Sequence, residues 1–165
     1  MAKITFKASA AYSSFLGRYQ DAIEHSQILE RAVASGAAIV ADRIRSNLED
    51  LPEDTFRRLP SSETFSGVPA GQKRDLADSF GLTPIKRDAD GNLNTKAGFD
   101  GYGSFPTPTY PNGIPNQLLA RTVESGSSVR AKTPFVRPAV DRTRSKAVAA
   151  MQKIIDKETE SLHRR

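Results

Sequence analysis

Two long stretches with an apolar residue at every third or fourth position constrain the fold of this chain more than any other feature. Such spacing gathers the apolar side chains on one face of an α-helix. The first stretch is helical from Tyr19 onward and stops before Pro52, and its apolar face carries Leu29, Val33, Gly36, Ile39, Val40, Ile44 and Leu48. The second follows Pro138 and carries Val140, Ala147, Val148, Met151, Ile154, Ile155 and Leu162. We predict that the two helices pack together over a small sheet, with close backbone packing at Gly36 offsetting its helix cost of about 1 kcal/mol.

The second helix begins at a junction, Lys132–Asp141, that reads Lys-Thr-Pro-Phe-Val-Arg-Pro-Ala-Val-Asp. Pro138 suits the first turn of a helix because its missing N–H would have no intrahelical partner there and its φ is already near the helical value. Arg137 precedes a proline, which favours extended backbone, so we place the helix boundary there. Phe135 and Val136 are then expected to form an apolar plug where extended chain meets helix.

Alternating patterns and a tight turn predict the sheet. Lys3–Lys7 alternates polar and apolar residues, as a short edge strand does. Leu82–Arg87 and Asn92–Phe99 flank Asp88–Gly91, whose final Asp-Gly pair is typical of a hairpin turn. The aspartates also admit a calcium-loop interpretation, but the regular oxygen ligands and the terminal glutamate of an EF-hand are missing. We therefore favour a plain turn over a metal site.

Two shorter helices are predicted, one on each side of the hairpin. Gln72–Phe80 is followed by Gly81, and Asn116–Glu124 is followed shortly by Gly126. Glycine commonly terminates helices because it adopts the left-handed conformation without a steric penalty. These elements complete a predicted α+β fold, with two long amphipathic helices packed on a small antiparallel β-sheet and long Pro/Gly-rich loops.

Two segments rich in proline and glycine, 51–75 and 98–115, show no regular period. A structureless stretch of this length inside a compact domain is uncommon and is usually functional. Both segments carry aromatic residues, which often dominate the energy of protein interfaces. We predict that the loops are assembly arms, with five candidate interface residues: Phe56, Phe65, Tyr102, Phe105 and Tyr110. The alternative is that these rings pack back on their own domain.

Length and composition limit the remaining possibilities. A chain of 165 residues suits one domain, 1–165, and it contains no cysteine, which excludes disulfides and zinc-thiolate sites. No segment approaches the roughly 18 apolar residues of a membrane span, so we expect a soluble protein without a membrane partner. The formal net charge is +5, with both signs interspersed, and we attribute it mainly to solubility.

One alternative function follows from the charge of the last helix. A small basic nucleic-acid-binding protein would neutralise phosphates with Arg142, Arg144, Lys146, Lys153 and Lys157. The competing interpretation is a solvated helix surface, because the chain has no run of five or six like charges and no basic stripe interleaved with aromatic residues.

Residues suited to catalysis are scarce. The chain has two histidines, His25 and His163, and neither has a metal partner at helical ligand spacing. The Gly-x-Ser-x-Gly sequence of a nucleophile elbow is absent, and the serines lie in turn-rich segments where hydroxyls commonly bond to the local backbone. The sequence therefore predicts no catalytic residue, no metal site and no cofactor, and we expect that the protein is not an enzyme.

Five short sequences, taken in this order, resemble the neck or tail-completion family of long-tailed bacteriophages over nearly the whole chain. They are Gly36–Asp42, Asp75–Ile85, Lys96–Tyr102, Val123–Ser127 and Thr133–Val140. The most specific are the glutamate-glycine element of the fourth and the Pro-Phe-x-x-Pro-Ala sequence of the fifth. One departure follows the first helix, where Pro52–Phe56 stands in place of the family's short Pro-x-Asp-Thr-Gly link and a long loop comes after it.

The resemblance implies a virion structural protein, with helices against a small antiparallel sheet, that assembles as a ring at the junction of head and tail. Six-fold symmetry of the ring is expected. The neighbours would be head-completion, tail-terminator or tail-tube proteins, and the genomic DNA would pass through the lumen. The protein would be made in the host cytoplasm and would end in the virion. The resemblance carries over no catalytic residue.

Four residues of the matching motifs are expected to have architectural roles. Glu124 would accept hydrogen bonds from the adjoining turn, and Gly126 would end the helix before it. Phe135 would anchor the entry to the last helix, and Pro138 would set its direction.

Overall fold

The structure, a computed structural model, describes residues 27–55 and 63–163 of the chain. Within these ranges the fold is α+β, as predicted, and its elements in chain order are α1 Ile28–Glu49, α2 Ala70–Ser79, β1 Phe80–Leu82, β2 Lys86–Arg87, β3 Leu93–Asn94, β4 Ala97–Phe99, α3 Asn116–Ser125 and α4 Val136–His163. The strand predicted at Lys3–Lys7 and the helical residues before Gln27 lie outside the described ranges. None of the described helices is long and apolar enough to cross a bilayer.

α1 and α4 lie side by side and run in opposite directions. Near the end of α1, the side-chain amide of Asn47 donates to the carbonyl of Phe135, just before α4, over 2.7 Å. Near the middle of α1, a Cβ at Gly36 would lie 2.7 Å from Cγ and Sδ of Met151. The predicted close packing at Gly36 is therefore confirmed: a Cβ there would also lie 3.4 Å from the backbone carbonyl oxygen of Ala147, and a larger residue would have to move the Met151 side chain.

The principal core lies where α1, α2, α3, the β1–β4 ladder and the start of α4 meet. Its largest fully buried side chains are Phe135, Ile44, Leu48, Leu76, Val40, Val68 and Val123. A second, smaller cluster of Ile28, Ala32 and Ile155 joins the beginning of α1 to the later half of α4. Small side chains along α1, including Ala37 and Ala41, are also buried, and they let the two long helices approach closely.

The apolar face predicted for α4 needs a correction at Val148, whose side chain is 55% exposed. The buried face of the first part of α4 instead follows Ala139, Thr143 and Ala147 at four-residue intervals. Thr143 can be buried because its hydroxyl donates to the carbonyl of Ala139 over 2.6 Å. Val148 follows Ala147 by one residue, which turns its side chain away by roughly 100°.

The hairpin is confirmed, but it consists of two separate ladders. β1 pairs with β4, and β2 pairs with β3, both antiparallel. Leu82 faces Ala97, whereas Lys86 faces Asn94, so three residues, 83–85, lie opposite two. An extra residue on one strand interrupts regular pairing and bends the strand. The hairpin is therefore kinked between its base, which joins the core, and its exposed tip.

The turn at the tip of the hairpin uses its aspartate internally. Oδ1 of Asp88 accepts the N–H groups of Asp90 and Asn92 at 3.1 and 2.8 Å, and Gly91 has a φ of 79°. This is the geometry of a plain Asx-type turn. Across the described ranges, no group of three or more His, Cys, Asp or Glu side chains is placed to hold a metal ion.

The region before the hairpin differs from the sequence prediction at two points. α2 begins at Ala70, so the last part of the predicted 51–75 loop is helical. Gly81 does not end this helix, because Phe80 is already extended and begins β1. The ring of Phe80 packs on the ring of Phe99 across the ladder, with centroids 5.2 Å apart. Burial of this pair in the sheet overrides the local tendency of a glycine to end a helix.

Candidate assembly site

A single carboxylate holds the junction between α3 and α4. Oε2 of Glu124, in the last turn of α3, accepts the N–H groups of Phe135 and Val136, both at 2.8 Å, and Oε1 accepts the N–H of Arg137 at 3.0 Å. The first N–H groups of a helix have no intrahelical partners, and the next residue, Pro138, has no N–H. The carboxylate thus completes the hydrogen bonding of the α4 start and places negative charge at the positive end of its dipole.

The boundary predicted at Arg137 is wrong by one residue, since α4 already begins at Val136. A residue before proline is disfavoured in the helical conformation, but the hydrogen bond from the Arg137 N–H to Glu124 offsets that preference. Pro138 lies in the first turn, as expected. Phe135 is 1% exposed and meets Phe99 edge to face, with ring centroids 5.9 Å apart, so it forms the apolar plug at the helix entry.

Gly126 follows α3 in a conformation that favours glycine. Its φ is 78°, and its N–H donates to the carbonyl of Thr122 over 2.9 Å. A Cβ at this position would lie 3.1 Å from the backbone nitrogen of Lys132 and 3.2 Å from the carbonyl oxygen of Arg130. Gly126 therefore both ends α3 and lets the chain return close beside it on the way to α4.

The inner loop, which we define as the described residues 51–55 and 63–69, places the ring of Phe65 inside the molecule. Phe65 is 3% exposed, and its backbone pairs with the segment before α4: its N–H donates to Val129 over 3.2 Å, and its carbonyl accepts from Ala131 over 2.9 Å. The prediction that Phe65 is available to a neighbouring subunit is therefore wrong, because the ring is already covered by its own subunit. The candidate Phe56 lies outside the described residues.

The ring of Phe65 is covered by a buried arginine. The guanidinium carbon of Arg130 lies 4.8 Å from the ring centroid, and its nitrogens donate to the side-chain carbonyl of Gln72 at 2.7 Å and to the carbonyl of Gly67 at 3.4 Å. Burial lowers the pKa of Arg130 because desolvation disfavours the charged form. Arginine nevertheless keeps its proton at neutral pH, so this contact fixes a desolvated cation between the inner loop and α2.

The arm, which we define as residues 101–115, has several backbone hydrogen bonds between its own residues. Gly103 donates to the carbonyl of Ile114 over 2.8 Å, and Thr107 and Tyr110 exchange two backbone hydrogen bonds at 2.9 and 3.0 Å. Gly113 lies directly against Gly103 and has a φ of 93°, which permits this close approach. These contacts fold the arm back on itself like a short hairpin, although proline and glycine prevent regular strands.

Asp75 on α2 clamps the base of the arm to the body of the protein. One carboxylate oxygen accepts the N–H of Ser104 at 2.8 Å, and the other accepts the Ser104 hydroxyl. The edge of the Phe105 ring lies in the space that a side chain at Gly71 would fill. The first residues of the arm are therefore oriented by α2.

Two of the rings predicted as interface residues remain exposed on the arm. Tyr102 is 65% exposed and Phe105 is 55% exposed, whereas Tyr110 is half-buried. Large exposed apolar side chains on a preformed loop are typical of protein contact sites. Of the four candidate rings that the structure describes, it therefore brings Tyr102, Phe105 and Tyr110 onto one exposed arm and removes Phe65 from that surface.

The five basic side chains of α4 that were considered for nucleic-acid binding are all exposed: Arg142, Arg144, Lys146, Lys153 and Lys157. Four of them, at positions 142, 146, 153 and 157, have the spacing that places residues on one face of a helix. Arg144 is on a different face.

Sequence reasoning missed Asp75 and Arg130, which orient the arm and cover the inner loop. Neither belongs to a short-range pattern, since their partners are 29 and 58 residues away, so no local signal reveals them. Comparison of the chain with models of known protein families, with curated proteins and with solved structures finds no match in any of the three.

Proposed function

We propose that this chain is a structural, non-enzymatic subunit of the neck of a long-tailed phage, in which copies form a ring that joins the tail to the head. The observation that carries the proposal is the arm: a preformed loop whose rings at Tyr102 and Phe105 are 65% and 55% exposed. Such rings supply large contact area at little entropic cost when the loop is already ordered. A protein with this surface is suited to permanent assembly.

The motif residues support the same proposal. Glu124 caps the start of α4 and Phe135 packs its ring there, while Pro138 lies in the first turn of α4. These are architectural roles, of the kind expected for the corresponding positions of a neck protein.

The proposal includes the surroundings of the ring. Copies of the chain, with six-fold symmetry expected, would contact head-completion, tail-terminator or tail-tube proteins and would enclose the passing genomic DNA. The subunit would be made in the host cytoplasm and incorporated into the virion, and it would need no cofactor.

The experiment is a complementation assay with a Tyr102→Ser/Phe105→Ser variant. We expect the purified variant to fold like the wild type and to yield heads and tails that fail to join, as judged by electron microscopy of lysates. The matched control is Val148→Ser, because Val148 is as exposed as Phe105, at 55%, but lies on α4. Phe65 is left intact since its replacement would disturb the core.

Normal infectious particles from the double variant would contradict the interface role of the arm. Absence of the protein from purified particles, as measured by quantitative mass spectrometry, would contradict the proposed function itself. Presence in a fixed stoichiometric multiple per particle is the expected result and would also give the ring symmetry.

A second candidate function is a small basic nucleic-acid-binding protein. The observation in its favour is the exposed face of α4 with basic residues at 142, 146, 153 and 157. Each phosphate that they neutralise would release counterions, so affinity should fall steeply with salt. Tight or sequence-selective binding in a gel-shift titration would favour this function, whereas weak binding is compatible with a ring around DNA.

A further inference from the structure

A cavity of about 260 Å³ opens between α1, β1, β4, α3 and the start of α4. Its apolar wall includes Ile44, Phe80, Phe99 and Val136. Small-molecule pockets usually enclose roughly 300 to 1,000 Å³, so this cavity is better matched to one or two side chains than to a whole cofactor. The lining side chains all belong to these five elements, and the arm of the same subunit does not contribute to it.

The rim of the cavity is rich in hydrogen-bond donors. Arg121, Arg137 and Gln117 line it, and all three side chains are exposed. Glu124 also lines it, but both of its carboxylate oxygens already accept backbone N–H groups from the start of α4. Its charge is therefore balanced by the helix terminus, and the two arginines leave the rim with a net positive charge.

The arm has the complementary character. Residues 101–115 contain no charged side chain, and Pro106, Pro108 and Pro111 have no N–H to donate. The outer part of the arm therefore presents more carbonyl acceptors than donors. It also carries the exposed rings of Tyr102 and Phe105. Either ring could pack against the apolar wall of the cavity.

We propose that the cavity receives the arm of a second copy of this chain, so that an aromatic ring enters the apolar part while arginines of the rim donate to carbonyls of the arm. The arm is rooted on α2 through Asp75, whereas the cavity is built from other elements. A contact between two different surfaces of the same protein is heterologous, and repeated copies then form a ring or a filament. This inference rests on the proposed function, for which it supplies the contact between neighbouring subunits.

The test is site-directed cross-linking. The chain has no cysteine of its own, so only the introduced cysteines can react. Thr109→Cys is placed on the exposed tip of the arm, and Ser125→Cys is placed on the rim of the cavity. The concentrated double variant is treated with a mild oxidant and, in parallel, with a short bis-maleimide, since a disulfide requires Cα atoms within about 7 Å. Denaturing gels then separate the products.

We expect a ladder of dimers, trimers and larger species, because each copy would be linked through its arm to one neighbour and through its cavity to another. Each single variant should stop at the dimer. The matched control pair is Thr109→Cys with Ser145→Cys, since Ser145 is an exposed serine of α4 that does not line the cavity. Adding Arg121→Glu to the test pair should reduce the ladder severalfold, and Phe105→Ser should do the same.

No ladder above that of the control pair, with either reagent, would overturn the contact between arm and cavity. A ladder that is insensitive to both Arg121→Glu and Phe105→Ser would also overturn it, because the cysteines would then meet by another route. Neither result would contradict the proposed function, which is tested separately by the presence and stoichiometry of the protein in particles.

Discussion

The inner loop and the arm are both rich in proline and glycine, yet Phe65 in the first is 3% exposed and Phe105 in the second is 55% exposed. The hydrogen bonds of their backbones also differ. Phe65 bonds to the segment before α4 through Val129 and Ala131, whereas the middle of the arm is held by backbone hydrogen bonds between Thr107, Tyr110 and Gly113. The inner loop is thus paired with a distant segment of the chain, whereas the arm is joined to the body near its base, through Ser104 and through Gly101.

The difference shows what decides the role of an aromatic residue in an irregular loop. Composition alone does not decide it, because both loops lack the regular pattern of a helix or strand. What matters is whether a distant segment satisfies the backbone of the loop and covers the ring. Val129–Ala131 and Arg130 do this for the inner loop, and Asp75 holds only the base of the arm.

The largest expected effect is that of Phe65→Ser. Truncation of a buried phenylalanine typically costs about 3 to 5 kcal/mol, and the new hydroxyl would add a buried polar group. We expect a loss of about 4 kcal/mol in the free energy of unfolding, or no soluble protein, against a typical total of about 5 to 15 kcal/mol. The measurement is urea denaturation followed by circular dichroism, since the chain has no tryptophan.

Phe105→Ser is the matched variant on the arm. Its ring is already half in water, so its loss should cost less than about 1 kcal/mol. Equal destabilisation by the two variants would break the comparison between the loops, because it would make the arm part of the core.

The sequence predicts regular elements well and the two loops less well, for a physical reason. Helices such as α3 follow from local spacing and a terminal glycine, and the Asp88–Gly91 turn follows from local turn chemistry. The burial of Phe65 depends on Arg130, which is 65 residues later in the chain. Val148 was misplaced for a related reason: the buried face of α4 is formed partly by Ala139 and Thr143, which a search for large apolar residues overlooks.

The next effect in size concerns Glu124, which fixes the end of the segment that covers the inner loop. Glu124→Ala would leave the N–H groups of Phe135, Val136 and Arg137 without their acceptor. We expect a loss of about 2 to 3 kcal/mol in the free energy of unfolding, near or just above the upper range for an N-terminal cap. Glu124→Gln should lose less because it keeps one carbonyl oxygen as an acceptor.

Hydrogen exchange would show whether this loss is confined to one loop. In Glu124→Ala, amide exchange should accelerate more at Phe65 and Ala131, in the inner-loop pairing, than at Gly103 and Tyr110, in the arm. A uniform acceleration at all four amides would mean that the two loops are not independently held.

A smaller effect is expected for Arg130→Met, which removes the cation over Phe65. The substitution removes the cation–π contact with Phe65 and leaves the side-chain carbonyl of Gln72 without its buried donor. We expect the free energy of unfolding to fall by about 2 kcal/mol. Arg130→Met combined with Gln72→Leu should recover most of this loss, because both polar partners are then absent. A double variant less stable than either single variant would show that the arginine contributes mainly by shape.

The smallest effect on stability is expected for Asp75→Ala, which releases the base of the arm. Asp75 is only half-buried, and its two hydrogen bonds to Ser104 can be replaced by water, so the cost should be about 1 kcal/mol or less. The local effect should be larger, because the clamp ties the backbone and the hydroxyl of Ser104 to α2. Limited chymotrypsin digestion should therefore cleave after Tyr102 faster than in the wild type, whereas the bond after Phe105 is protected in both because Pro106 follows it. Asp78→Ala, which removes an exposed carboxylate from the same helix, is the control and should leave the cleavage rate unchanged. If the two variants were cleaved equally slowly, the orientation of the arm would not depend on Asp75, and the other contacts of the arm, including that of Phe105 with Gly71, would hold it.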